Sequence, residues 1–405
     1  MAVVRRRGLT VVLALLVLGL IATSAGANTL PLTRRLANAL AVPGAPARSS
    51  GVVAVDLLTG KTLFARNPDL PLAPASNEKL LVTYTALQNL GPGFRFQTEL
   101  LGRGTIRDGV LHGNLVLKGF GDPTLTSAGL LGLVRQLKRH GIDRITGRVL
   151  GDDSFFDRIR TAPGWKPSFS PLECPPISAL VVDGDDYENH LALNPPLAAA
   201  GRLRQLLRGE GVSAGAAAVG DAAPGSTVLG VVKSQPLEAI VKAMDTSSDN
   251  FTAEMLVKEI GAEVAGDGST AAGLRIVLRA LGEAGVPLQG VRLFDGSGLS
   301  QLDRVTANAI ATLLLVIWRA PTLRQPIWSA LPIAGETGTL EYRLQELPAR
   351  GAVRAKTGTT DLATALSGYV DRRYAFSVLD NGYPVSWNAT REAQDRFATA
   401  LAATG

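Results

Sequence analysis

The sequence predicts an α+β fold: a five-stranded antiparallel sheet flanked by helices, with a helical subdomain and a β-rich unit inserted into the chain. Three observations predict it. Two strand-like apolar runs lie near the start of the chain and three near its end. Helical periodicity dominates from Leu237 to Leu344. The stretch 94–235 is instead punctuated by Gly, Asp and Pro at the spacing of short strands.

Taken in order, Leu30–Ala41 reads as a short amphipathic helix, and a Pro/Ala/Ser linker leads to Ser50. Gly51–Asp56 is a strand, Leu57–Gly60 a turn, and Lys61–Arg66 the returning strand of a hairpin. Gly60-Lys61-Thr62 is no phosphate loop, because Val55 stands where that motif needs glycine. From Ser76 to Leu90 the apolar residues Leu80, Leu81, Tyr84, Leu87 and Leu90 keep helical spacing. Within 94–235, Gln97–Gly102 and Gly109–Leu117 read as strands, and Ala128–His140 and Pro196–Arg208 as helices. Val353–Lys356, Ala363–Val370 and Tyr374–Leu379 are the late strands, closed by a helix at Arg391–Ala403. Early and late strands then form one sheet, with the terminal helices on one face and the central helices on the other. Residues 28–93 and 236–405 are thus two parts of one domain, and 94–235 is a separate module hung from it.

Composition narrows the chemistry. The chain has 405 residues, 46% hydrophobic and 19% charged, enough for a large core and too apolar for disorder. Its net charge is +6, of which Arg5, Arg6 and Arg7 carry +3 in a segment without acids, so the remainder has no nucleic-acid footprint. One cysteine, Cys174, excludes an intrachain disulfide and a cysteine-based zinc cage. With only His112, His140 and His190 as histidines, acid–base chemistry is expected to run without histidine, metal or cofactor.

Residues 1–27 read as an export signal: a basic start, an apolar stretch at Leu9–Ile21, and Ala25-Gly26-Ala27 as a cleavage site. The apolar stretch is shorter than the roughly 18–20 residues of a comfortable membrane span, so contact with a membrane is expected only through this segment if it stays uncleaved. The mature protein should begin near Asn28 and work in the periplasm or on the cell-wall side of the cytoplasmic membrane.

Three short elements fit one mechanism. Ser76-Asn77-Glu78-Lys79 opens a helix, and its three-residue spacing puts Ser76 and Lys79 on one face. A serine hydroxyl is a weak nucleophile without a base, and a desolvated lysine amine can be that base. Ser248-Asp249-Asn250 lies between two helices; Ser, Asp and Asn are also ordinary helix caps. Lys356-Thr357-Gly358, followed by Thr359, lies on a strand and is expected by chance only about 0.06 times in this composition. A lysine and hydroxyls there can hold an anionic group, and Gly358 leaves room for a substrate backbone. Singly these elements are modest; in this order and context they point to a serine acyl-transfer site.

At these residues the sequence resembles the peptidase S13 (penicillin-binding protein 4) family of D-alanyl-D-alanine carboxypeptidases/endopeptidases. The resemblance extends through Pro74-Ala75-Ser76-Asn77-Glu78-Lys79-Leu80-Leu81, Gly121-Asp122-Pro123-Thr124-Leu125, Asp295-Gly296-Ser297-Gly298-Leu299-Ser300, Gly338-Thr339-Leu340 and Ala355-Lys356-Thr357-Gly358-Thr359. The segment between Lys79 and Ser248 is shorter than in the best-known members. The resemblance implies the transpeptidase fold shared by penicillin-binding proteins and serine β-lactamases. It implies Ser76 as nucleophile toward peptidoglycan peptides ending in D-Ala-D-Ala, Lys79 as base, and Ser248 as proton carrier to the leaving D-alanine. Asn250 would bind the substrate amide and orient Lys79, Lys356 would supply positive charge, and Thr357 and Thr359 would take the terminal carboxylate. The N–H groups of Ser76 and Thr359 would form an oxyanion hole, and β-lactam antibiotics would acylate Ser76 and leave slowly.

Two other functions compete. A serine β-lactamase would share these elements, but no Glu-x-x-Leu-Asn stretch lies between the first two. A non-catalytic secreted cell-wall binding or scaffolding protein is opposed by the completeness of all three. Among the remaining residues, Glu254 is read as a structural hydrogen-bond partner, and Asp122, Asp152 and Asp153 as turn formers. Cys174 is given no role, and Trp165, Trp318, Trp328 and Trp387 are expected to form no sugar-binding cluster. Ser386-Trp387-Asn388 falls after the third element and is rejected, and the sequon at Asn250-Phe251-Thr252 is taken as accidental.

Overall fold

The structure is a computed structural model that describes residues 30–187 and 190–404; the export segment lies outside the described residues. The first part of the chain carries α1 (Leu32–Ala39), β1 (Ser50–Asp56), β2 (Thr62–Arg66), a 3₁₀ turn at Ala75–Glu78 and α2 (Lys79–Leu90). There follow β3 (Gln97–Arg107), β4 (Val110–Gly119), α3 (Ser127–Arg139), β5 (Arg144–Ile145), β6 (Val149–Asp152), α4 (Phe169–Leu172), β7 (Asp186–Tyr187), β8 (His190–Leu191), α5 (Pro195–Gly209), β9 (Ala217–Val219) and β10 (Thr227–Lys233). The last part holds α6 (Leu237–Ser247), α7 (Asn250–Ala265), α8 (Thr270–Glu283), α9 (Ala307–Arg319), α10 (Pro321–Ala330), β11 (Val353–Thr359), β12 (Ala363–Val370), β13 (Tyr374–Asn381) and α11 (Trp387–Ala402).

The α+β architecture is as the sequence predicts. One sheet has the order β11-β12-β13-β1-β2, every pair antiparallel. Strand β1 is apolar on both faces because both are covered. Val52 and Ala54 meet Leu36 of α1 and Phe397 and Leu401 of α11, whereas Val53 and Val55 face the core formed by α2, α6, α7 and α9. Strand β11 is an edge strand: Thr357–Thr359 pair with β12 on one side and border a cleft on the other.

The second sheet has the order β10-β3-β4-β6-β9, with β5 beside β4. The strands by which the chain enters and leaves it, β3 and β10, pair with each other, Gln97 against Lys233. Helices α3 and α5 bury Leu130, Leu133, Leu137, Leu203 and Leu207 against one face of this sheet.

Three expectations need correction here. The serine turn is not the first turn of an α-helix: Ala75–Glu78 is 3₁₀, Ala75 has φ +48°, and the α-helix begins at Lys79. The last helix starts at Trp387 rather than Arg391. The inserted unit is also not simply hung from the core. Residues 153–182 form an arm that lies on α7, where Phe156, Cys174, Ile177 and Val181 pack against Phe251 and Met255. Buried Lys258 of α7 reaches out to donate to Asp157 and to the Ile159 carbonyl (2.7 Å). The apolar face of α7 is too broad for the central helices alone to cover, and the arm covers the remainder.

Candidate active site

The 3₁₀ turn sits where two close backbone approaches fix it. A Cβ on Gly298 (φ +81°) would lie 2.0 Å from the Ala75 carbonyl oxygen, and a Cβ on Gly358 would lie 3.0 Å from the Pro74 oxygen and 3.1 Å from the Ser76 nitrogen. Glycine at 358 therefore serves the chain's own serine turn: the clearance expected for a substrate backbone is taken up from behind by residues 74–76. Asn77 ties the turn to the same strand, its Nδ2 donating to the Lys356 carbonyl (3.0 Å).

Lys79, first residue of α2, is fully buried. Its Nζ lies 3.0 Å from Ser76 Oγ, 2.8 Å from Asn250 Oδ1 and 2.7 Å from the Ser297 carbonyl oxygen. Burial lowers the pKa of this amine, opposed by the negative charges of Asp295, Asp249, Glu254 and Asp245. Lys356 is also fully buried and donates to the Thr357 carbonyl (3.0 Å). Its pKa is lowered by burial and then by the charge of Lys79, against Asp245. It stands behind the strand, not on its exposed edge, so it acts on the cleft through its field.

Ser248 closes α6 in the left-handed region (φ +65°), and Asn250 opens α7. Capping falls to the residue between them: Asp249 accepts from the N–H groups of Phe251 and Thr252 (both 3.1 Å). Asn250 Nδ2 donates to the Glu173 carbonyl (3.0 Å), on the inserted arm. Thr357 Oγ1 donates to Thr339 Oγ1 (2.7 Å), and Arg391 Nη2 donates to Thr359 Oγ1 (3.1 Å). Ser76, Ser248, Asn250, Thr357, Gly358 and Thr359 line one cleft of about 510 Å³, together with Glu173, Leu299, Thr339, Tyr342, Arg343 and Arg391. The eight residues singled out from the sequence thus converge, six on the cleft wall and the two lysines immediately behind it.

Below Lys79 lies a buried group of acids. Glu254 Oε1 accepts from the N–H groups of Gly296 (2.9 Å) and Ser297 (2.8 Å), the structural role expected of it. Glu78, Asp295 and Asp303 bring carboxylate oxygens within 4.8 Å of one another. Burial first, then the neighbouring carboxylates, pushes the pKa of Glu78 and Asp303 upward. Asp122 and Asp152 form turns as expected, accepting from the N–H groups of Thr124 and Ser154. Trp318 and Trp328 do cluster, 5.6 Å apart and against buried Tyr369, but inside the core.

Sequence reasoning missed Glu173, Ser297, Thr339 and Arg391. Ser297 and Thr339 lie in stretches already noted for their resemblance, without a role. Glu173 and Ser297 contribute main-chain carbonyls, which leave no side-chain signature. Cys174, given no role, is a packing anchor beside Glu173; burial raises its thiol pKa, which leaves it unreactive.

The model of the D-Ala-D-Ala carboxypeptidase 3 (S13) family matches residues 32–196 and 191–404. The chain belongs to that family. It is 32% identical to the D-alanyl-D-alanine carboxypeptidase of Actinomadura sp. (strain R39), over 94% of this chain and 86% of that one. It is 30% identical to carboxypeptidase DacB of Mycolicibacterium smegmatis, over 92% and 84%. The crystal structure of penicillin binding protein 4 from Haemophilus influenzae matches the fold with a TM-score of 0.81 at 23% identity, over 92% of this chain and 98% of that one. The chain is therefore a serine hydrolase of the S13 type. Among the described residues, no helix is long and apolar enough to cross a membrane.

Proposed function

We propose that this protein is an exported serine-type D-Ala-D-Ala carboxypeptidase that acts on peptidoglycan stem peptides through an acyl-enzyme on Ser76. The observation that carries the reading is the Lys79 amine, buried and 3.0 Å from Ser76 Oγ, with its other two contacts going to pure acceptors. An amine with two N–H bonds so engaged directs its lone pair at the serine hydroxyl.

In this mechanism Ser76 Oγ attacks the carbonyl of the penultimate D-alanine while Lys79 Nζ takes its proton. The oxyanion is held by the N–H groups of Ser76 and Thr359, each such donor being worth roughly 10²–10³ in rate. Ser248 passes the proton to the departing D-alanine amine. The Thr357 and Thr359 hydroxyls bind its carboxylate in the field of Lys356, and Asn250 binds the substrate amide. Water then releases the acyl group. A β-lactam enters the same path and stalls at the acyl-enzyme. In this reading the catalytic domain comprises 28–93 and 236–405, split by 94–235.

Endopeptidase action on cross-links is a second reading. At Tyr342, Arg343 and Arg391 the cleft adjoins a groove of about 1000 Å³ between α1 and α11, which gives room for a leaving group larger than D-alanine. Incubating the mature protein and a Ser76→Ala variant with peptidoglycan fragments tests both readings. D-alanine release, cross-link cleavage or both should vanish in the variant; activity that persists refutes the mechanism.

A further inference from the structure

The inserted arm touches the catalytic centre at two points, and each leads to Lys79. The first is Glu173. Its carbonyl takes the Asn250 Nδ2 hydrogen, and that contact decides which end of the amide faces Lys79. With Nδ2 so held, Oδ1 points at the amine. A flipped amide would offer N–H to N–H, and a neutral Lys79 could relieve this only by turning its lone pair away from Ser76.

The second point is Trp165. The loop that supplies the Ser297 carbonyl is wound around the Asp295 carboxylate, which accepts from the N–H groups of Gly298 (2.8 Å) and Ser300 (2.7 Å) and from Ser297 Oγ (3.2 Å). A further donor to Asp295 comes from the arm: Trp165 Nε1, at 2.7 Å. A further bond, Ser300 Oγ to the Pro163 carbonyl (2.8 Å), closes arm and loop together.

We infer that residues 163–174 of the insert are a positioning element of the active site: through Trp165 and the Glu173 carbonyl they set the two acceptors that aim the Lys79 amine at Ser76. Neither residue touches the reacting atoms, so both are positioning residues rather than catalytic ones. The arm is held to this task by buried Cys174, packed with Phe251 and Met255, and by the backbone bonds of Glu173 and Cys174 to the Phe169 carbonyl (2.8 and 3.0 Å). An insert that served only to extend the protein would have no reason to bury a cysteine against α7 and to spend an indole N–H on Asp295.

This inference rests on Ser76 acylation, so wild-type labelling by fluorescent penicillin comes first; if the wild type is not labelled, the functional reading fails and not the role of the arm. The test is the acylation rate of the full chain as a function of pH for Trp165→Phe, which keeps the ring and removes the N–H. Trp165→His restores a ring N–H, and Arg158→Ala is a control on the exposed outer side of the same arm. Trp165→Phe should slow acylation at saturating penicillin about tenfold, with an unchanged half-saturation concentration. It should also move the acidic limb of the profile to higher pH, because a loosened loop admits water to Lys79. The groups facing that amine, Asp245, Asp249, Glu254, Asp295 and Lys356, are unchanged in Trp165→Phe and Arg158→Ala, whereas Trp165→His adds an imidazole against Asp295 and is read by its rate alone. Trp165→His should recover part of the rate, and Arg158→Ala should match the wild type. A Trp165→Phe protein with wild-type rate and pH profile overturns the inference. So does one that loses only thermal stability, or one in which only the half-saturation concentration changes. If Trp165→Phe does not fold, Ser300→Ala, which removes the other bond between arm and loop and adds no charge, decides by the same two readouts.

Discussion

Replacing Asn250 by aspartate changes almost no atoms and places a negative charge 2.8 Å from the Lys79 amine. At that distance, with an effective dielectric of about 20, the attraction is roughly 6 kcal/mol. Taking half of this to allow for relaxation and the desolvation of the new carboxylate leaves about 3 kcal/mol, or roughly two pKa units of added preference for the charged amine. Burial lowers the pKa of Lys79 and so favours the neutral amine that the mechanism needs, and the Asn250→Asp carboxylate opposes that. The new carboxylate also faces the Glu173 carbonyl, acceptor against acceptor, across a contact now at 3.0 Å. Acylation by fluorescent penicillin near neutral pH should fall about 100-fold, and the acidic limb of the rate profile should move up by about two units, with rate partly regained at alkaline pH. A variant acylated within threefold of the wild type, on an unshifted profile, would refute Lys79 as the base.

Further expectations follow from the same contacts. The wild-type profile should be bell-shaped, because the active form has Lys79 neutral and Lys356 charged; burial lowers both amines and each feels the other's field, so the two limbs belong to the pair. A flat profile between pH 5 and 10 would contradict this. Arg391→Ala removes the donor to Thr359 Oγ1 and should raise KM about tenfold for peptides with a free terminal carboxylate, but change it little for amidated ones. Gly298→Ala brings a methyl group to 2.0 Å from the Ala75 carbonyl at a positive φ, and should cost at least about 2 kcal/mol by thermal melting while disabling acylation.

What the sequence revealed followed distance along the chain. Ser76 and Lys79 are three residues apart, about one turn in either an α- or a 3₁₀-helix, so their pairing was legible although the kind of turn was not. The sheet strands announced themselves by apolar runs such as Val52–Val55, buried on both faces. The 3₁₀ turn was illegible because its cause, the backbone of Gly298 and Gly358 pressing on residues 74–76, comes from segments more than 200 residues away. Arg391 and Thr359 meet only because α11 packs against the sheet whose edge is β11. The arm was misread as part of an independent module because nothing local distinguishes a loop that docks from one that is free. Trp165 and Cys174 stand in a Pro-rich stretch without helical or strand periodicity, and a single indole or thiol has too many other uses to be decisive.

The central claim is that a lysine-activated serine forms a covalent acyl-enzyme. Its most direct test is the intact mass of the protein after brief exposure to benzylpenicillin, followed by peptide mapping of the adduct. The account predicts one penicilloyl group per chain, on the peptide containing Ser76, and none when Ser76 is alanine or Lys79 is methionine. An adduct on any other residue, or full labelling of the Lys79→Met protein, would contradict it.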